Sequence, residues 1–203
     1  AVKSARPVAN SRPTLPPAAQ VNLATERLRA GGYVLNDLKL YAQRPAPDQW
    51  RVDIDSRQAK GALEWTEASK VIAGRITARF SHLSLGGSDD TNQAKDALNE
   101  GTDLSDIPAV DLVADQFVLY DKPLGKLRLL GTNLERGKLW RLDTLQITND
   151  AASLDATGTW RLEGAQRGLS IDVKTKFADM GKLLDQVGLK QVMAGGSGTL
   201  DGN

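Results

Sequence analysis

From Val21 onward, apolar and polar residues alternate with a period of two. Trp50, Val52 and Ile54 point one way, and Arg51, Asp53 and Asp55 point the other. Ile72, Gly74, Ile76, Ala78 and Phe80 oppose Arg75, Thr77, Arg79 and Ser81. Leu154, Ala156, Gly158, Trp160 and Leu162 oppose Ser153, Asp155, Thr157, Thr159 and Arg161, and Leu169, Ile171, Val173, Thr175 and Phe177 oppose Ser170, Asp172, Lys174 and Lys176. This is the pattern of strands with one dry and one wet face. It belongs to antiparallel sheets, because buried parallel strands read as continuous apolar runs. Turn signals at Asn149-Asp150, Asp121-Lys122-Pro123 and Glu135-Arg136-Gly137 are short enough for hairpins. The expected fold is therefore mainly β: an antiparallel meander of about ten strands with sequential strands as neighbours.

The pattern occurs twice. Val21 and Leu23 match Val110 and Leu112, while Leu35, Leu38 and Leu40 match Leu124, Leu127 and Leu129. Trp50-Arg51-Val52-Asp53 matches Trp140-Arg141-Leu142-Asp143, Trp65 matches Trp160, and Phe80 matches Phe177. These pairs use all four tryptophans. The spacing drifts from 89 residues at Val21 to 97 at Phe80, as loop insertions would make it. The repeat also settles a local ambiguity. Asn22 to Leu28 alone fits a capped helix, but its counterpart, Asp111 to Val118, is rich in valine and phenylalanine, so both are expected to be strands.

The expected organisation is a Pro-rich linker over 1–20, a first β repeat over 21–85, a polar linker over 86–107, and a second β repeat over 108–203. One short helix is expected at 179–187. Asp179 is its N-cap, Met180, Leu183, Leu184 and Val187 form its apolar stripe, and Gly188 is its stop. Gln93 to Leu98 in the linker are helix formers that fit either a short helix or an unordered connection. Gly195 to Asn203 reads as the opening of a further strand, from which the chain is expected to be part of a longer polypeptide.

Aligned dry faces create a surface that one helix cannot cover. About ten strands at ~4.8 Å span on the order of 50 Å, whereas a helix is about 10 Å wide. Two solutions remain: the sheet packs on itself as a sandwich, or it stays open as a groove for an apolar ligand. Small inward residues, Gly74, Ala78, Ala156 and Gly158, either leave room for that ligand or let the sheet curve and pack closely.

Composition narrows the chemistry. The formal net charge is +1, which gives no electrostatic case for nucleic acid. There are no cysteines, which excludes disulfides, thiolate metal sites and cysteine nucleophiles. No apolar run approaches the ~20 residues of a membrane span, and the N-terminus lacks the apolar region of a signal peptide. His82, the single histidine, is placed at a strand end, where a surface or capping role is expected in preference to a metal site. Ser81-His82 near Asp89-Asp90 lacks the nucleophile elbow of a hydrolase. Asp53, Asp55, Asp143 and Asp155 fall on wet faces, where they can pair with Arg51 or Arg141. The glycines at 195, 196 and 198 lack the Lys-Ser/Thr of a phosphate loop. Hence no catalytic residue, metal site or cofactor is expected.

One longer pattern is more specific. The run Ile107-Pro108-Ala109-Val110-Asp111-Leu112-Val113-Ala114-Asp115-Gln116-Phe117 resembles a segment of the large AsmA-like, YhdP-type envelope proteins. The likeness continues through Pro123-Leu124-Gly125-Lys126-Leu127, Trp140-Arg141-Leu142, Gly158-Thr159-Trp160, Asp179-Met180-Gly181-Lys182-Leu183-Leu184, and Val192 to Leu200. It covers most of residues 21–203 and is best from 107 onward. The first repeat departs from it, with Val34-Leu35-Asn36 in place of Pro-Leu-Gly. The resemblance implies a periplasmic β-structure of the Gram-negative envelope, anchored in the inner membrane outside these residues. It implies a curled sheet whose apolar groove carries phospholipid acyl chains between the membranes. On this reading the chains lie along Ile72, Ile76, Phe80, Leu154, Trp160, Ile171, Val173 and Phe177. The partners would be phospholipid, adjoining segments of the same long chain and possible envelope proteins. The rival reading from the residues alone is a closed scaffold that binds envelope proteins through its charged faces or sheet edges.

Overall fold

The computed structural model describes residues 20–30, 33–69, 73–86, 107–134, 138–161, 167–179 and 195–202. They form one sheet of eleven strands in sequence order: β1 (Gln20–Ala30), β2 (Tyr33–Ala46), β3 (Gln49–Asp55), β4 (Ala59–Thr66), β5 (Arg75–Leu85), β6 (Ala109–Leu119), β7 (Lys122–Leu134), β8 (Leu139–Thr148), β9 (Ala152–Arg161), β10 (Gly168–Phe177) and β11 (Gly198–Gly202). The sheet is curled and unclosed, with β1 and β11 as its edges. Among the described residues there is no helix. The expected helix at 179–187 lies outside them from Met180 onward, as do the linker residues 87–106 and the turn at 135–137.

The strand reading of Asn22 to Leu28 is realised in β1, which pairs along its length with β2. The pure antiparallel meander is corrected at one joint, because β5 and β6 run parallel, from Arg75↔Ala109 to Leu85↔Leu119. Parallel neighbours need a long crossover rather than a hairpin, and the stretch expected to be a polar linker between strands supplies that length. All other neighbours are antiparallel.

Two further sequence readings shift in detail and one holds. The turn between β6 and β7 is Tyr120-Asp121, with φ of 48° and 62°, while Lys122 and Pro123 already belong to β7. Positive φ at both central residues is the geometry of a two-residue hairpin turn, normally given to Asn-Gly. Asn149 does close the β8–β9 connection: its Oδ1 accepts from the backbone N–H of Ala151 and Ala152, both at 2.9 Å, and its Nδ2 donates to Leu124 O at 3.1 Å. His82 is not at a strand end. It lies within β5, half-buried opposite Lys60 and Gln116, because β5 continues past a register shift to Leu85.

Candidate functional site

The pairing registers define what each face of the sheet presents. One row of direct partners runs from edge to edge as Val21, Ala42, Val52, Leu63, Ala78, Leu112, Leu129, Leu145, Ala156, Val173 and Gly202. It contains no polar side chain, and at ~4.8 Å per strand it spans about 48 Å. Neighbouring rows on the same face run Ile76, Val110, Gly131, Leu142, Gly158, Ile171 and Phe80, Ala114, Leu127, Ile147, Leu154. The sequence-predicted residues Ile76, Phe80, Leu154, Trp160, Ile171, Val173 and Phe177 therefore share this one apolar face. Ile76 and Ile171 stand in one row, as do Phe80 and Leu154. Ile72 lies outside the described residues.

The face is not uniform. At its centre Ala59, Ala78, Phe80, Leu83, Ala114, Phe117 and Leu127 form a packed cluster, with Phe80 only 8% exposed and Ala114 fully buried. Toward the edges the face opens: Val21 and Leu23 are each 38% exposed, Leu169 65% and Leu200 68%. The predicted set is thus divided. Phe80 lies inside the protein's own core and Ile76 packs against it, whereas Leu154, Trp160, Ile171, Val173 and Phe177 remain half-buried on the β9–β10 wing. The small residues serve close packing. A Cβ on Gly158 would collide with Ser170 O, and one on Gly74 would sit 3.2 Å from Thr66 O. Ala78 and Ala156 are buried. Sequence reasoning missed Gly131, where a Cβ would run into the Trp140 ring; only the cross-strand register reveals that slot.

The opposite face is polar and laced by ion pairs. Arg51 bonds Glu64 across β3–β4 at 2.6 Å, and Lys60 approaches Asp55 at 3.7 Å. The sequence offered Asp53 to Arg51, but Glu64 is its direct cross-strand partner. Arg141 does meet Asp143, at 2.5 Å, and Asp155 accepts from Gln146 at 2.9 Å. The parallel joint has its own clasp. Arg79 on β5 donates to the Asp111 carboxylate and to Asp111 O on β6, each at 3.0 Å. That hydrogen bond holds the Asp111 carboxyl below its ordinary value, against the smaller opposing effect of burial.

Two concavities of the described residues lie away from the seven residues. One of about 470 Å³ is bounded by β1–β3, from Asn22 to Ala24, Lys39 to Tyr41 and Asp53 to Asp55. Another of about 330 Å³ sits over the polar side chains Asp155, Thr157, Asp172 and Lys174. Among the described residues, the exposure of Leu169 and Leu200 marks the β10–β11 side of this face as open. Among the described residues, no group of His, Cys, Asp or Glu is placed to hold a metal ion, and no helix is long and apolar enough to cross a membrane.

An edge-to-edge apolar face on a curled, unclosed sheet is the architecture expected from the resemblance noted in the sequence. No curated protein and no solved structure matches the chain. The family model described as YhdP protein matches residues 2–203, nearly the entire chain, and the chain therefore belongs to the YhdP family.

Proposed function

We propose that this chain is a non-enzymatic lipid-conduit module, which holds phospholipid acyl chains against its apolar face for transport between the inner and outer membranes of a Gram-negative envelope. The observation that carries this reading is the unbroken apolar row from Val21 on β1 to Val173 on β10, open to solvent toward both edges. Burying acyl carbons there is favourable by about 0.8 kcal/mol per CH₂. Membership of the YhdP family supports the same reading. The half-buried wing residues Leu154, Trp160, Ile171, Val173 and Phe177 make the contacts, while the sealed centre around Phe80 keeps the sheet in shape. Strands β1–β5 and β6–β10 act as two tandem units of the conduit, in a periplasmic segment that adjoining segments of a longer, inner-membrane-anchored chain extend.

The test is direct. The purified protein is extracted with organic solvent and the extract is analysed for phospholipid, beside an Ile171→Asp variant that places a charge on the open wing. Stoichiometric phospholipid in the first and its loss from a still-folded second are expected. A lipid-free protein that also fails to take up added phospholipid would overturn the reading. The scaffold alternative, in which the same sheet binds envelope proteins, draws on β1 as an edge strand among the described residues, and the lipid-free outcome would favour it.

A further inference from the structure

All four tryptophans stand on the apolar face at the same rim of the sheet. Trp50 is second in β3 and pairs directly with Trp65, second from the end of β4. Trp140 is second in β8 and pairs directly with Trp160, second from the end of β9. The register joins the two pairs. Trp65 leads to Ile76, Ile76 to Val110 and Val110 to Gly131, and the Trp140 ring lies over Gly131. The phenylalanines lie further along the strands. Phe177 ends β10, while Leu169, the partner of Trp160, is near its start.

This separation gives the face a direction. Indole combines a large apolar surface with one N–H donor and favours places where one side is dry and the other wet. Phenyl rings have no donor. Trp50 Nε1 and Arg44 Nε are enclosed at one corner of this rim, and Trp140 Nε1 donates to Pro108 O at 3.1 Å, so the indoles that meet solvent are Trp65, 39% exposed, and the half-buried Trp160. The Arg44 guanidinium sits 5.5 Å from the centre of the Trp50 ring. A phosphodiester with its ester carbonyls is rich in acceptors, and an acyl chain has none. Arg44 also pairs with Glu67 at 3.4 Å, so the corner is a hydrogen-bonding one that does not select a headgroup by net charge.

We infer that the apolar face orients its phospholipid, with the headgroup and ester linkages along the tryptophan rim and the acyl chains running parallel to the strands toward the phenylalanine rim. This rests on the lipid-conduit reading and adds a polarity to it. From Leu169 to Phe177, at ~3.3 Å per residue, the face is about 26 Å deep. The chains of one bilayer leaflet occupy about 15 Å. A chain anchored at the tryptophan rim therefore fits on the face, with its terminal methyl well away from every indole.

The protein carries its own probe, because its entire tryptophan fluorescence originates at this rim. Phosphatidylcholine bearing a nitroxide either beside the ester linkage or at the end of the acyl chain is incubated with the 203-residue chain. Free lipid is then removed by gel filtration and quenching is measured at equal occupancy. The ester-proximal label is expected to quench several-fold more strongly than the terminal label. Equal quenching, or stronger quenching by the terminal label, overturns the orientation and leaves the conduit reading standing. Absence of bound lipid in both samples sinks the two together.

Discussion

Phe80 and Leu169 are both large, apolar and on the same face, yet they should respond very differently to truncation. Phe80 is 8% exposed and packed in the central cluster beside Leu127 and the fully buried Ala114. Its neighbours belong to hydrogen-bonded strands and cannot collapse into the space it leaves. Phe80→Ala should therefore cost the full transfer and cavity penalty, about 3–5 kcal/mol. Leu169 is 65% exposed, so only about a third of its side chain is withdrawn from water. A third of the 1.5–3 kcal/mol for complete burial leaves about 0.5–1 kcal/mol for Leu169→Ala. Urea denaturation followed by circular dichroism reads both. With a denaturant slope of roughly 2–3 kcal/mol/M for a chain of this size, the midpoint should fall by about 1–2.5 M in the first variant and by less than ~0.5 M in the second. Equal shifts, or a Phe80→Ala midpoint within ~0.5 M of the parent, would refute the division of the face into a sealed centre and open wings.

Two further predictions concern the polar face and a turn. The Arg79–Asp111 clasp depresses the folded-state pKa of Asp111, so its stabilisation is present above the unfolded carboxyl pKa and is lost as pH falls through the depressed folded value. The stability gap between parent and Arg79→Leu should hold at neutral pH and narrow on acidification below the carboxylate range, the bond from Arg79 to Asp111 O remaining. A gap that stays constant in urea titrations across that range would show that the clasp acts only through packing. At the β6–β7 turn, Asp121 has φ of 62°, a conformation that disfavours residues with a Cβ by about 1–2 kcal/mol. Aspartate tolerates this region better than most residues and glycine adds freedom to the unfolded chain, so Asp121→Gly should raise stability by only about 0.5 kcal/mol, measured as a slightly higher urea midpoint, and a lower midpoint would refute the strain.

What could be read in the sequence was the property that side-chain alternation carries. In β3, β9 and β10 the apolar set faces one way because period two is a local consequence of strand geometry. Strand direction leaves no such mark. Arg79 and Asp111 would alternate identically in parallel or antiparallel neighbours, so the joint between β5 and β6 was illegible. The register shift near Lys60 likewise let β5 run on through His82 to Leu85. For the candidate site, the sequence identified which residues share a face but not which of them remain accessible. Phe80 and Phe177 occupy matching places in the pattern, and only the assembled sheet puts one in its centre and the other on its wing. The glycines tell the same story: alternation leaves open whether the space beside Gly158 is free for a ligand, and only the assembled sheet shows a neighbouring backbone in it, as it shows the Trp140 ring in the space at Gly131.

The parallel joint also solves a problem of parity. In a purely antiparallel sheet each strand reverses the one before it, so β3 and β8, five places apart, would run in opposite directions. The second residue of each would then fall on opposite rims, with Trp50 at one mouth of the trough and Trp140 at the other. A single parallel step removes one reversal and makes the number between them even. Both strands then run the same way, and both tryptophan pairs open onto the same side. One joint, held by Arg79 and Asp111, therefore decides whether the two halves of the sheet present a consistent handedness to whatever lies along them. Reversing that one step would leave every strand, every hairpin and the apolar face intact, and would produce a trough without a common edge.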